Sequence, residues 1–199
     1  MGAAEGLFGY LAEAVGTPYN VIPPAMFLGF SGGIAGWGTI CGALAAPVCL
    51  ISGVVADKKL REEMINELMA WYIHHPFPEY QPAGLNLPKV AVGSTLCHIS
   101  VSKWVNAMDP PVTADSKEKK ARCAGVSGDT AKKAVEILNA YADTGAFSAT
   151  HKPDPIVASC MGCHKESAPP FTQGKENCMS CHGSGLINID DCESHRDLL

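Results

Sequence analysis

Cys160-Met161-Gly162-Cys163-His164 and Cys178-Met179-Ser180-Cys181-His182 stand 18 residues apart in a segment that has little else to fold around. From Gly145 to Leu199 the chain is rich in Pro and Gly, poor in periodic apolar residues, and holds five of the nine cysteines. A stretch of that texture builds little core from side chains alone, so it needs a staple or an apolar cofactor. Each motif reads C-x-x-C-H, the attachment sequence for c-type haem. Two thiols at that spacing, Cys160 with Cys163 and Cys178 with Cys181, reach the two vinyl-derived carbons on one haem edge. The histidine that follows, His164 or His182, falls under the iron as the proximal ligand. Two covalently bound haems would supply the apolar mass that the segment lacks.

A second chemistry competes for the same residues. Cys160, Cys163, Cys178 and Cys181 also read as C-x2-C-x14-C-x2-C, near the four-thiolate spacing of a structural zinc site. Cys178 to Gly185 is similar to the CxxCxGxG repeat of DnaJ-type zinc domains, but Lys165 and Ser167 replace the corresponding glycines after the first pair. A zinc knuckle has no use for a histidine after both pairs. Haem is the reading adopted, with a zinc-stapled interaction module as an alternative.

Beyond His164 and His182, the candidate iron ligands are His74, His75, His98, His151 and His195. Bis-His haems need two of them. His151 lies nine residues before Cys160 in a Pro-rich loop, from which it can fold back over a haem. His98 sits one position off the apolar stripe of a predicted helix, so it can reach across from the helical part. These two are the candidate distal ligands. His74 and His75 precede Pro76 at a helix end, where the dipole favours histidine. His195, four residues from the C-terminus, is expected to be exposed, and Met108 is a weaker ligand candidate. Bis-His ligation sets a lower potential than His/Met ligation.

Upstream of the motifs the pattern is helical. Phe30 to Gly36 is a glycine-rich hinge, and the apolar run Trp37 to Ala56 predicts a close-packed helix ending near Asp57. That run matches the ~20 residues of a membrane span. Its Gly, Ala and Pro47 suit a buried helix better, so no span is expected. Asp57 caps a helix whose apolar positions are Leu60, Met64, Leu68, Trp71 and Tyr72, with Lys58, Lys59, Glu62, Glu63 and Glu67 as its solvated face. Pro76 and Pro78 end it. A third helix is predicted from Ser94 to about Asn106 with Cys97, Val101 and Trp104 on one stripe. A fourth follows Asp129 as N-cap, with Ala131, Val135, Leu138 and Tyr141 or Ala142 facing inward. Ser116 to Arg122 reads as a solvated loop or helix end. The expected fold is mainly α, a helical domain over residues 1–145 followed by a loop-rich di-haem domain over 146–199.

With 15 Lys+Arg against 20 Asp+Glu, the net charge of −5 advertises no surface for nucleic acid. Residues 1–57 carry only Glu5, Glu13 and Asp57 as charged groups, so the cationic start of a signal peptide is not in this sequence. An exported form would have lost its targeting segment. Cys41, Cys49, Cys97 and Cys123 belong to the helical part, and each alone reads as a small buried hydrophobe. Taken together, four thiolates suit an iron–sulfur cluster or zinc.

Gly29 to Gly36, then Cys41-Gly42-Ala43-Leu44, then Gly93 to His98, then Cys123 resemble the spaced cysteines of the C-GCAxxG-C-C family. With two C-terminal C-x-x-C-H motifs, the stretch from about residue 28 to 185 is similar to the split-Soret cytochrome c family. That resemblance implies a periplasmic homodimer with closely packed bis-His haems and a cysteine-bound iron–sulfur centre in the helical domain. By position, Cys41, Cys97 and Cys123 take the family's cysteine places. An early family cysteine has no counterpart before Cys41, and Ala45-Ala46-Pro47 departs from the family's small-residue turn, so Cys49 is the substitute fourth ligand.

The expected function is electron transfer between redox partner proteins. An iron with six ligands has no open position for substrate, which favours a carrier over an enzyme. The alternative is a haem enzyme with one open iron position acting on a small ligand.

Overall fold

The computed structural model describes residues 1–81, 84–152, 154–165, 167 and 174–179. Cys181, His182, Cys192 and His195 lie outside the described residues. The chain divides into two compact units, Met1–His151 and Lys152–Leu199, and the described residues are mainly helical, as expected.

The core of the first unit is built where the apolar periodicity is cleanest. Helix α4 (Lys58–His74) starts at Asp57, whose Oδ1 accepts the Leu60 N–H at 2.8 Å. Met64, Leu68 and Tyr72 are fully buried along its inner face. They pack with Leu44, Ile51 and Val55 around helix α3 (Ala45–Val54), with Phe77 and Val92, and with Val126 and Ile137 of helix α6 (Lys117–Thr144). Pro76 ends α4 and opens strand β1 (Pro76–Phe77), which pairs antiparallel with β2 (Val90–Ala91). A second cluster lies on the other side of α3. Ala3 and Ala4 of α1 (Gly2–Ala4), with Leu7 and Phe8 of the helical turn that leads into α2 (Tyr10–Ala14), pack with Phe27, Ala45, Ala46 and Leu50. Small residues on α3 let these elements approach closely, and the Phe8 and Phe27 rings stack with centroids 5.3 Å apart.

Four sequence expectations are corrected by this packing. The helix after the glycine hinge is only Ala45–Val54; from Ser31 to Gly38 the chain turns, with Gly32, Gly33, Gly36 and Gly38 all at positive φ, and Trp37 is 82% exposed. No helix among the described residues is long and apolar enough to cross a membrane. The helix predicted to follow Ser94 begins at Cys97 (α5, Cys97–Asn106), since Ser94 is buried and its Oγ accepts the Leu96 N–H. The largest correction concerns α6, which is 28 residues long and is capped by Ser116 through the Lys119 N–H. Asp129 is not its N-cap. It sits within the helix and turns its carboxylate onto the Glu79 and Tyr80 N–H groups at 2.7 and 3.0 Å. The inner face of α6 is therefore Arg122, Val126, Thr130, Ala134 and Ile137, whereas Val135 is exposed. Finally, Glu67 belongs to the buried side of α4 rather than its solvated face.

Candidate metal centre

Of the four lone thiols of the helical part, three are electrostatic neighbours: Cys41 and Cys123 both act on Cys97. The glycine turn returns the chain at Thr39–Cys41, which lies antiparallel to Thr95–Cys97 through a bridge between Ile40 and Leu96. The Cys97 N–H donates to the Thr39 carbonyl at 2.6 Å and the Cys41 N–H to the Thr95 carbonyl at 2.8 Å. Only glycine fits at position 33, where φ is +72° and a Cβ would fall 2.8 Å from the Cys97 Cβ and 2.6 Å from the Thr39 nitrogen. Alternation along a paired strand sends residues 41 and 97 to the same face of the bridge. Cys123, on α6, lies near enough to act on the Cys97 thiol. Burial pushes the Cys97 thiol up, and the neighbouring Cys41 and Cys123 push it further, against the opposing pull of Lys119 and Arg122.

Beside the thiols lies a buried polar chain. The Tyr72 hydroxyl and the Ser100 Oγ are 3.1 Å apart, and Arg122 Nη2 donates to that same Oγ at 2.8 Å. Burial lifts the Tyr72 phenol well above its ordinary value, and the nearby Cys41 adds to this while Arg122 opposes it. The Arg122 side chain is 1% exposed and its Nε has no partner. Among the described residues, no group of three or more His, Cys, Asp or Glu side chains is gathered closely enough to hold an ion as it stands.

Cys49 is not brought to this face. It lines a separate cavity of about 170 Å³ with Phe8, Tyr19, Phe27 and Leu50, and its thiol is lifted by burial, with no other thiol contributing.

His98 is exposed on α5, next to Cys97. Its Nδ1 lies 2.8 Å from the Gly38 carbonyl oxygen. A carbonyl only accepts, so Nδ1 donates, and in neutral imidazole Nε2 is then the nitrogen with the lone pair that ligates metal. His151 closes the first unit. Its N–H, the Thr150 N–H and the Thr150 hydroxyl all donate to the Glu67 carboxylate, at 2.9, 2.8 and 2.6 Å. The His151 ring lies nearly parallel to that of His74, with centroids 6.4 Å apart.

In the second unit, helix α7 (Pro155–Cys163) is capped by Asp154, whose Oδ1 accepts the Ile156 N–H at 3.0 Å. Its other oxygen accepts from Asn177 Nδ2 at 2.9 Å, which holds the approach to the second motif against the start of α7. Cys160 and Cys163 are free thiols one helical turn apart, and His164 follows as the C-cap. Burial raises the Cys178 thiol, and its neighbour Cys160 raises it further, so the leading thiols of the two motifs adjoin.

The spacing of Cys41, Cys97 and Cys123 marked them in the sequence, but Tyr72, Ser100, Arg122 and Glu67 escaped it. The one available signal was Arg122 standing immediately before Cys123, at the end of a run otherwise suited to solvent.

Residues 2–137 match the family described as "Putative redox-active protein (C_GCAxxG_C_C)". Over 203 aligned residues the chain is 37% identical to the split-Soret cytochrome c of Desulfovibrio desulfuricans (strain ATCC 27774), covering 98% of this chain and 72% of the relative. A solved structure, described as "A novel iron centre in the split-Soret cytochrome c from Desulfovibrio desulfuricans ATCC 27774", superposes with a TM-score of 0.84 at 36% identity. The match covers 94% of this chain and 81% of that one.

Proposed function

We propose that this chain, which belongs to the split-Soret cytochrome c family, is a periplasmic, homodimeric electron carrier with two covalently bound haems and an additional cysteine-held iron centre. Family membership makes it a redox protein akin to a cytochrome with an iron centre. The finer assignment rests on the residues.

The observation that carries it is the donor set of α7: free thiols at Cys160 and Cys163, one turn apart, with His164 directly after them. That set fits a covalent haem, whose iron, when bound, supplies a reversible one-electron couple. Cys160 and Cys163 would carry the thioether bonds of one haem and His164 its proximal ligation; Cys178, Cys181 and His182 would do the same for the second. His98 and His151 are the proposed distal ligands. In support, the Gly38 carbonyl holds His98 in the tautomer that leaves Nε2 free, and Glu67 fixes the backbone at His151.

The helical unit's own chemistry is thiolate. Cys41, Cys97 and Cys123 would hold the non-haem iron, and the buried guanidinium of Arg122, whose Nε is unpartnered, supplies the positive charge that thiolate-bound iron calls for. Whether the iron is accompanied by inorganic sulfide is read from acid-labile sulfide in the purified protein.

Carrier and enzyme differ at the sixth iron position. As an electron carrier with both irons bis-His ligated, the reduced protein binds no carbon monoxide at neutral pH without denaturant. A stoichiometric carbon monoxide complex on one haem would favour the enzyme reading. The adjoining Cys160 and Cys178 thiols also suit a four-thiolate zinc knuckle, which elemental analysis separates by zinc in place of iron.

A further inference from the structure

An arginine side chain taken wholly out of water calls for an anion. Arg122 is 1% exposed, its recorded hydrogen bond runs to the neutral Ser100 hydroxyl, and its Nε is unpartnered. Among the described residues no carboxylate forms an ion pair with it, whereas Glu67, also buried, pairs with Lys133. Burying an unpaired charge is costly even after the surroundings relax. The ionisable neighbours Arg122 acts on are the Cys97 thiol and the Tyr72 phenol, and Cys41 and Cys123 act on that same thiol.

We propose that Arg122 is the counter-charge residue of the anionic centre held by Cys41, Cys97 and Cys123, oriented by Ser100 and, through it, Tyr72. This rests on the cysteine-held iron centre argued above. Iron bound by several thiolates carries net negative charge, and the interior of this unit offers a guanidinium with a vacant N–H donor next to it. The arrangement accounts for why α6 carries an arginine inward immediately before Cys123, in a run where Lys117 and Lys120 are exposed and Lys119 is half-buried. It also accounts for Ser100, which lies 3.1 Å from the Tyr72 hydroxyl and 2.8 Å from Arg122 and so fixes which way the guanidinium faces.

The role predicts a reversal of sign that ordinary packing does not. With iron bound, Arg122 compensates charge and stabilises the fold; with iron removed, it is a buried cation without a partner. The test compares the holoprotein, its covalent haems retained, with and without chelator extraction of non-haem iron, for the parent, Arg122→Met and Arg122→Lys. Arg122→Met should melt below the parent when iron-loaded but at or above it when iron-free, and should lose iron to chelator at least tenfold faster. Arg122→Lys, which keeps the charge, should retain iron at a rate closer to the parent. A loss of the same sign in both forms of Arg122→Met, unfolding included, would overturn the role of Arg122. So would a lysine variant that sheds iron as fast as the methionine one. A parent protein with haem but no non-haem iron would overturn the iron centre itself, and the role of Arg122 with it.

Discussion

Glu67 and Thr150, 83 residues apart, are joined twice, through the Thr150 N–H at 2.8 Å and its hydroxyl at 2.6 Å. With the His151 N–H at 2.9 Å and Lys133 Nζ at 3.8 Å, the carboxylate fastens the end of the helical unit to α4. The chain passes from this clamp toward the first C-x-x-C-H motif, nine residues beyond His151.

Glu67→Ala should therefore destabilise the protein by roughly 1–3 kcal/mol, since it takes a charged acceptor from two part-buried N–H donors and a partner from Lys133. Burial pushes the Glu67 carboxyl up, but its hydrogen bonds from His151 and Thr150 and the charge of His151 outweigh this and hold it below its ordinary value. A carboxyl lowered in the fold contributes stability above its unfolded value near 4.5, and loses it as pH falls through the folded value. Urea midpoints should fall below that pH in the parent and fall less in Glu67→Gln. Equal acid sensitivity in both would contradict the clamp.

His75 titrates in a different window. It stacks on Trp71 at 4.5 Å and meets the Phe77 edge at 4.9 Å, and burial lowers its pKa below 6.5 despite Asp129 and Glu79. The unfolded chain then takes up a proton before the folded one, so stability drops as pH falls from 6.5 toward the folded value. His75→Phe should flatten the stability profile over that range; an unchanged slope would assign it to another group.

Asp129 ties the middle of α6 to the chain after β1. Asp129→Ala should cost roughly 2–3 kcal/mol in chemical denaturation, because the Glu79 and Tyr80 N–H groups lose a charged acceptor. Gly125→Ala should be damaging too, as its Cβ would strike the Tyr80 carbonyl and lie 2.6 Å from the Pro78 Cβ. A thermal shift within error of the parent for either variant would mean the loop accommodates the change.

Gly33 underlies the thiol face. Gly33→Ala forces a left-handed residue and a contact of 2.8 Å with the Cys97 Cβ, costing roughly 1–3 kcal/mol in strain. Non-haem iron should drop while haem per chain stays constant. Loss of both together would point to general misfolding instead.

The sequence made α4 legible because its apolar period is regular and its Asp57 cap unambiguous. The glycine turn hid the true extent of α3, since Trp37 to Cys41 is mostly apolar without being helical and Gly42–Leu44 forms only a 3-10 turn. Asp129 misled because an aspartate before an apolar run is the usual sign of a helix start, while here tertiary N–H donors claimed its carboxylate. Arg122 and Glu67 were assigned to solvent by their charge; burial of each depends on a partner 22 or 83 residues distant, which no local pattern encodes. Cys49 fitted the count of thiols, but α3 leaves it exposed at the rim of a separate cavity lined by Phe8 and Phe27.

The most direct test of the account is an optical spectrum of the purified protein, oxidised and dithionite-reduced, with a pyridine haemochrome titration for haem per chain. Two c-type haems per chain with six-coordinate, low-spin bands are predicted. A colourless protein that contains zinc would contradict the account and return Cys160, Cys163, Cys178 and Cys181 to a structural metal site.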